Sequence, residues 1–283
     1  MAGPMDFWRL VREVNPNGIH QDADRAFRVA ALGSEPELAE LRRLAGFDVA
    51  ENRARAGDRW LEAALPLSDS DRPRVAACTF ALTLSRNAEN IPITVWRLDP
   101  QAMEPAISAI LDKYPDLNIA LPRAVPAFRS IATDRIIAAA ARANTQLALA
   151  SALPGVVPWT AVLLPAAAFP DMVLLTKNQG MMCLRIAAAY GFPVEPQRRL
   201  AELGGVIGVA FGWRALAREL VGLVPGGVGA GLKGAIAYAA TVTTGRAAQA
   251  LYSGGALPTV KERTEIFREA FRRRRAEPEA SPA

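Results

Sequence analysis

The sequence has few of the side chains that enzymes most often use for catalysis or for binding metals. His20 is the single histidine among 283 residues, and the two cysteines, Cys78 and Cys183, lie far apart in the chain. One imidazole and two distant thiols match no zinc-ligand spacing, and no G-x-S-x-G turn supplies a serine nucleophile. We therefore predict a non-enzymatic protein with no catalytic residue, no metal site and no bound cofactor.

Lysine is also scarce, with four residues, so most of the positive charge comes from arginine. The net charge of +5 and the isoelectric point near 9.6 are modest, and the basic residues are spread along the chain. This balance permits an anionic partner such as a lipid surface and does not require nucleic acid. We predict no nucleic-acid binding. The charged start of the chain lacks the apolar segment of a signal peptide, which favours a cytoplasmic location.

Candidate strands and helices alternate over residues 1–128, and this order is typical of a parallel α/β sheet. Residues 15–24 are polar and are predicted to form a turn. Apolar runs predict strands at 27–32, 74–84, 93–98 and 117–121, and capped or amphipathic segments predict helices at 35–45, 59–65 and 100–110.

The loop after the first predicted strand has the position of a phosphate-binding loop but lacks its residues. A P-loop needs G-x-x-x-x-G-K-[ST], in which the lysine reaches phosphate and the hydroxyl holds magnesium. Here Ser-Glu-Pro-Glu-Leu follows Gly33, and no lysine precedes Lys113. Ser34 and Glu37 have the spacing of a capping box, and Glu35 and Glu37 would repel phosphate at the helix N-terminus. The sequence therefore predicts a sheet domain that does not hydrolyse nucleotide.

Residues 129–257 contain no convincing strand and predict an all-α helical bundle rich in glycine, alanine and proline. Helices are predicted at 134–153, 171–190, 196–224 and 228–252. The run from Ala143 to Pro170 has no charged residue and is long enough for a membrane span, which needs about 20 residues, but prolines interrupt it. We expect a peripheral or partly inserted bundle in which Trp159, at the turn, contacts the membrane or a partner.

Two groups of glycines in the helical part share the G-x-x-x-G spacing. Gly204, Gly208 and Gly212 form one ladder, and Gly227 and Gly231 repeat the spacing at the start of the last predicted helix. Glycine in a helix costs about 1 kcal/mol relative to alanine, so close approach of two helices is the expected compensation. We predict that these glycines lie at helix–helix contacts.

Residues 258–283 predict a basic amphipathic tail that ends in disorder. Seven basic residues fall between Lys261 and Arg275, and an apolar side resembles that of helices that lie on a membrane surface. The residues predicted to contact a membrane or a partner are Phe267, Phe271, Arg272, Arg273, Arg274 and Arg275. A solvated helix is the alternative, because charge runs are often simply exposed faces.

The helical part resembles the uncharacterised helical domain of YcjF-type bacterial membrane-associated proteins. The resemblance covers about residues 127–257 and rests on AFRSIATDRIIAAAARANTQLAL, CLRIAAAYG, the Pro-Gly turns and LVPGGVGAGLKGAIAYAATVTTGRAAQALY. It implies a membrane-linked helical module that follows a GTPase-like α/β domain. That domain, residues 1–128, is degenerate here because it departs from active GTPases at every motif.

These features together predict a membrane-associated scaffold or regulator without enzymatic activity, on the cytoplasmic side of the membrane. A lipid membrane is the expected partner, and the resemblance implies a GTPase as a protein partner. Two alternatives stay open: a nucleotide-binding enzyme with an unconventional site, and a soluble cytoplasmic protein with no membrane role.

Overall fold

The computed structural model describes residues 16–150, 169–195 and 229–276, and these residues form two compact units. The sheet unit comprises Gly18–Thr133 and the short segment Ala188–Phe192. The helical unit comprises the described parts of Met1–Asn17, Asp134–Ala187 and Pro193–Ala283. A parallel sheet in the N-terminal half and helices after it confirm the predicted combination of an α/β half with a helical half.

Four parallel strands form the centre of the sheet unit. They are β1 (Val29–Gly33), β2 (Trp60–Ala64), β3 (Phe80–Thr83) and β4 (Val95–Arg97), arranged in the order β2-β1-β3-β4. In the register, Val29 pairs with Trp60 on one side and with Phe80 on the other. The two central strands are buried along their whole length, as is typical of parallel sheets covered on both faces, and the two edge strands are partly exposed.

Short helices cover the two faces of this sheet. The helices are α1 (Asn17–Asp24), α2 (Glu35–Ala45), α3 (Ala50–Ala56), α4 (Asp71–Ala76), α5 (Met103–Lys113) and α6 (Ala120–Ala124), and 3-10 turns occur at Gly57–Arg59, Pro115–Leu117 and Pro126–Phe128. Phe80 and Leu82 point to one face, where α2, α5 and α6 pack. Leu32 and Ala81 point to the other, where Val75 of α4 packs. Alternate residues of each strand therefore belong to separate apolar clusters.

The helix predicted at 35–45 is confirmed at both ends. The Ser34 and Glu37 side chains form the predicted capping interaction at its start. Gly46 ends it in the left-handed conformation with φ +84°, and a Cβ there would also lie 2.8 Å from Cβ of Pro126. Glycine is required at this position both for the backbone conformation and for the close approach. The strands predicted at 27–32 and 93–98 are confirmed within two residues as β1 and β4.

Three predictions in this half are wrong, two of them because tertiary contacts override local preference. The predicted helix at 59–65 is β2, because backbone pairing with β1 outweighs the helix preference of Leu61, Glu62 and Ala63. The predicted strand at 117–121 is instead a 3-10 turn followed by α6, which bury Leu117 and Leu121. The predicted polar turn at 15–24 contains α1.

The predicted strand at 74–84 is only half correct. Its first residues belong to α4, whose start is fixed by Ser68: the Asp71 amide donates to the Ser68 hydroxyl at 3.1 Å. The strand itself is confined to Phe80–Thr83. This local side-chain contact of Ser68 forms a turn just before the helix, and the apolar pattern alone does not reveal it.

The helical unit is built from long helices. They are α7 (Arg129–Ala150), α8 (Phe169–Ala189), α9 (Gly229–Gly254) and α10 (Val260–Ala276). These helices confirm the predictions at 134–153, 171–190 and 228–252, whereas the helix predicted at 196–224 lies outside the described residues. After residue 131 the described part of the chain contains no strand. None of its helices is both long enough and apolar enough to cross a bilayer.

Candidate functional site

The carboxyl edge of the sheet is the first place to look for a ligand site. The chain leaves β1 toward β2 on one side, and β3 lies on the other side of β1. Folds of this kind bind ligands where the connections diverge, just beyond the carboxyl ends of the two central strands. In this protein that position is occupied after β1 by Gly33, Ser34 and the start of α2. At the end of β3 it is occupied by Thr83.

The carboxylate of Glu37 fills the anion position at the start of α2. The Ser34 backbone N–H donates a hydrogen bond to Glu37 Oε2 at 2.7 Å, and the Ser34 hydroxyl donates to the same oxygen at 2.8 Å. A Cβ at Gly33 would lie 2.8 Å from Cβ of Glu37, so the glutamate side chain is packed directly against the glycine. The Ser34 amide and hydroxyl, which a phosphate would need as donors, are therefore already bonded to the Glu37 carboxylate.

The other polar groups at this edge also bind one another. The buried Thr83 hydroxyl donates to the Leu32 carbonyl at 2.8 Å and accepts from the Ser85 amide at 3.1 Å, which ties β3 to β1. Arg42 lies between two carboxylates, 2.7 Å from Glu35 and 3.2 Å from Glu62. These contacts stabilise the sheet edge and leave the arginine neutralised by the protein itself.

The thiols and the histidine do not form a reactive group. His20 lies on α1, and within the described ranges no three His, Cys, Asp or Glu side chains are arranged to hold a metal ion. Both cysteines are free and buried. Burial raises the pKa of Cys183 to about 12, and burial also raises the pKa of Cys78 although Arg28 and Arg74 oppose it. Both thiols therefore stay protonated at neutral pH, and a thiol is a poor nucleophile.

The C-terminal helix α10 packs on α9 through its apolar side. Phe267 and Ala270 are buried in a cluster with Ile236, Ala239 and Ala240 of α9. Phe267 was predicted to contact a membrane or a partner, but it is only 8% exposed because it faces α9. The predicted contact residue Phe271 is partly buried beside it, with the two ring centroids 6.1 Å apart.

The opposite side of α10 carries a stripe of basic residues. Lys261, Arg268, Arg272 and Arg275 are all exposed, and their spacing of i, i+7, i+11 and i+14 places them on one helix face. Glu265 is the acidic residue on the same face. The stripe is the most concentrated positive surface on this helix, and we call it the basic stripe.

The four arginines predicted as contact residues do not all belong to this stripe. Arg273 forms an ion pair with Glu269, and Arg274 is partly buried. The Arg275 guanidinium lies 5.8 Å from the centroid of the Phe271 ring, a cation–π contact that leaves its charge at the surface.

The start of α10 is capped by Thr259 and Glu262. The Thr259 backbone N–H donates to Glu262 Oε2 at 2.7 Å, and the Thr259 hydroxyl donates to the same oxygen at 2.8 Å. The T-x-x-E spacing in the sequence is the signal that predicts this cap.

The glycine predictions divide between described and undescribed residues. Trp159, Gly204, Gly208, Gly212 and Gly227 lie outside the described residues. Gly231 is exposed, and a Cβ there would meet no described atom within 4 Å. Among the described residues, the close contacts of α9 occur instead at Gly234 and Gly245, which do not belong to the predicted G-x-x-x-G ladders. A Cβ at the first would lie 3.1 Å from Leu149, and at the second 2.5 Å from Ile137.

A layer of buried polar side chains connects three helices of the helical unit. Asn178 on α8 donates to the Asn144 side-chain oxygen on α7 at 3.0 Å, and Asn144 donates to the Thr241 hydroxyl on α9 at 2.9 Å. Asn144 and Thr241 are fully buried. Thr241 passes the hydrogen bond on to the Ala237 carbonyl at 2.8 Å. This chain of bonds fixes the relative register of the three helices, a property that helical periodicity alone does not reveal.

Comparison with known proteins adds no family to this description. The chain matches no protein-family model, and no curated protein or solved structure is detectably similar to it. The resemblance to YcjF-type proteins therefore stays a prediction, and function must be argued from the geometry.

Proposed function

We propose that the protein is a membrane-associated scaffold or regulator without enzymatic activity, and that the basic stripe on α10 contacts an anionic bilayer. The observation that carries the proposal is the division of α10 into two sides. Phe267 and Ala270 hold the helix on α9, while Lys261, Arg268, Arg272 and Arg275 face outward. A helix held in this way presents its charges as a fixed surface.

The packing of α10 also determines how it would bind. Because Phe267 is buried against α9, the helix would attach by charge at the lipid surface rather than by inserting an apolar face. Each basic residue near an anionic membrane contributes about 1 kcal/mol, and salt screens this contribution over about 8–10 Å. With Glu265 opposing it, the stripe would supply about 3 kcal/mol, which is enough for reversible attachment that depends strongly on ionic strength.

The sheet unit fits the role of a degenerate GTPase-like domain. Support comes from the Glu37 carboxylate, which is bonded to the Ser34 amide and hydroxyl where a nucleotide phosphate would need donors. A domain of this kind would serve for protein contact rather than for hydrolysis. On the resemblance to YcjF-type proteins, a GTPase is the protein partner that we propose.

Liposome flotation with matched variants tests the membrane proposal. We expect the full-length protein to float with anionic vesicles at low salt and to be released at high salt. The triple substitution Arg268→Gln, Arg272→Gln and Arg275→Gln should weaken this binding on the order of 100-fold. The control triple Arg53→Gln, Arg86→Gln and Arg97→Gln removes the same charge from exposed residues of the sheet unit and should bind like the wild type.

Two outcomes would contradict the proposal. One is a wild-type protein that stays in the soluble fraction with anionic vesicles at low salt. The other is an equal loss of binding in both triple variants, which would show that net charge alone, and not the basic stripe, determines attachment.

A further inference from the structure

Three arginines from different helices converge on one short segment within the sheet unit. Arg55 is on α3, Arg123 is on α6 and Arg129 begins α7. Arg55 donates to the Tyr190 carbonyl at 3.5 Å, and Arg123 donates to the carbonyls of Ala188 and Phe192 at 3.4 and 3.5 Å. The Arg129 guanidinium lies 5.6 Å from the centroid of the Tyr190 ring. The segment Ala188–Phe192 therefore gathers the three guanidinium groups.

The approach of Arg55 to this segment is very close. Gly191 has φ +86°, and a Cβ there would lie 2.6 Å from Arg55 Nη1. Glycine thus permits both the left-handed backbone and the position of the guanidinium. Each of the three arginines is partly buried and partly exposed, with the Arg55 side chain 27% exposed, so solvent and small solutes reach the cluster.

Among the described residues, carboxylates offset only part of the positive charge of this cluster. Glu51 pairs with Arg55 at 2.6 Å. Burial lowers the pKa of Arg123, Asp24 opposes this effect, and Arg55 and Arg59 reinforce it, so a fourth guanidinium and a second carboxylate are nearby. The C-terminal end of a helix, here that of α8, is equivalent to about half a negative charge, so the groups in the described part of the chain leave a net charge of about +1.5 at the cluster.

The bonds that the arginines make within the protein are mostly weak ones. Arg123 is held by the two carbonyl contacts at 3.4 and 3.5 Å, near the long limit for a hydrogen bond. Arg129 donates to the Pro122 carbonyl at 3.1 Å and to Asn52 at 3.4 Å. Burial lowers the pKa of Arg129 and Arg55 adds to the effect, whereas Tyr190 and Glu51 oppose it, so a bound anion would relieve the remaining repulsion between Arg55 and Arg129.

We propose that Arg55, Arg123 and Arg129 form a binding site for a phosphate monoester. A phosphate monoester carries a charge of about −1.5 to −2 at neutral pH and has three strong acceptor oxygens, which matches the uncompensated charge and the forked donors of several guanidinium groups. The group belongs either to a soluble phosphate compound or to a lipid headgroup. This site lies in the sheet unit and is independent of the basic stripe on α10.

Calorimetric titration of the full-length protein with inorganic phosphate at constant ionic strength tests the site directly, without a membrane. We expect saturable binding at one site. Arg123→Gln should raise the dissociation constant about tenfold or more, since a lost charge-assisted hydrogen bond is worth about 1.5–3 kcal/mol. The control Arg53→Gln removes an exposed arginine two residues from Arg55 on the same helix and should leave the dissociation constant unchanged.

A second variant and a second probe complete the experiment. Arg123→Lys keeps the charge but loses the fork, so it should bind phosphate more weakly than the wild type, and this variant replaces Arg123→Gln if the latter does not fold. Glycerol phosphate then represents a soluble phosphate compound, and vesicles that contain phosphatidic acid represent a lipid headgroup. The source that the site recognises is the one whose binding Arg123→Lys weakens. Wild-type heats that never saturate would overturn the proposal, and so would an equal loss of binding in Arg53→Gln.

Discussion

At the scale of single residues, missing side chains allow helices to meet. In α9 the backbone approaches α7 at Gly234 and Gly245, where a methyl group would overlap Leu149 and Ile137 respectively. Gly231 on the same helix faces open space among the described residues. The three glycines therefore have different physical reasons to be present, although all of them lie within one helix and look alike in the sequence.

A matched pair of substitutions should separate these glycines. Gly245→Ala should lower the free energy of unfolding by about 1–3 kcal/mol, because its Cβ would overlap Ile137 in a packed contact. Gly231→Ala should leave it unchanged or raise it by up to about 1 kcal/mol, since alanine favours the helix. Urea denaturation measures both. Equal changes in the two variants would show that α9 does not approach α7 at Gly245 as described.

At the scale of elements, hydrogen bonds inside the helical unit fix which helices are neighbours. Thr241, Thr243 and Thr244 of α9 donate to carbonyls four residues earlier, and the Thr241 hydroxyl also accepts from Asn144 on α7. Asn144 differs because it bonds both to Thr241 and to Asn178. A buried amide that joins three helices favours one register over the alternatives that a mostly alanine surface would also permit.

Removal of the Asn144 side chain should destabilise the helical unit. Asn144→Ala leaves a partly buried donor on Asn178 and a buried acceptor on Thr241 without their partner, which should lower the free energy of unfolding by about 1–3 kcal/mol. Gln146→Ala, an exposed position on the same helix, is the control and should change it by less than about 0.5 kcal/mol. Thermal melts followed by circular dichroism make the comparison. A loss in Gln146→Ala as large as that in Asn144→Ala would contradict the role of the polar layer.

At the scale of the whole molecule, two charged regions differ in how far their charges are paired within the protein. The basic stripe on α10 is solvated and opposed by little acid, which suits a weak, salt-sensitive contact. The carboxyl edge of the sheet pairs its own charges, with Glu37 on the Ser34 amide and Arg42 between Glu35 and Glu62. The basic stripe on α10 therefore keeps its positive charge exposed, whereas Arg42 is paired with carboxylates of the protein. The carboxyl edge is also where this kind of sheet usually binds a ligand.

The purified protein should not hydrolyse GTP or ATP in the presence of magnesium. The reason is the Glu37 carboxylate at the start of α2 together with the lack of a lysine and a magnesium-binding hydroxyl in the loop after Gly33. Phosphate release is the measurement, with a mock purification as the blank. A rate above that blank which disappears when residues 33–38 are substituted would show that the loop is catalytic.

Local chemistry made much of the fold predictable from the sequence. Ser34, Glu37 and Gly46 determine both ends of α2 by contacts within a few residues, and β1 follows from an unbroken apolar run. The long helices of the second half follow from a composition that favours helix over many consecutive residues. Phe267 and Ala270 were correctly placed on one apolar side of the tail, but the partner of that side was not identified.

Tertiary structure alone decided the remaining features, because they depend on residues far apart in the chain. Trp60–Ala64 becomes a strand only because β1 offers it a hydrogen-bonding edge, and Phe267 packs on α9 only because α10 returns along it. The same holds for the contact of Asn144 with Thr241 and for the meeting of Arg55, Arg123 and Tyr190. The sequence by itself determined where α2 begins and ends, that long helices follow the sheet unit, and where charge is concentrated, since caps and composition act locally. Which surfaces are left for a partner was decided by packing.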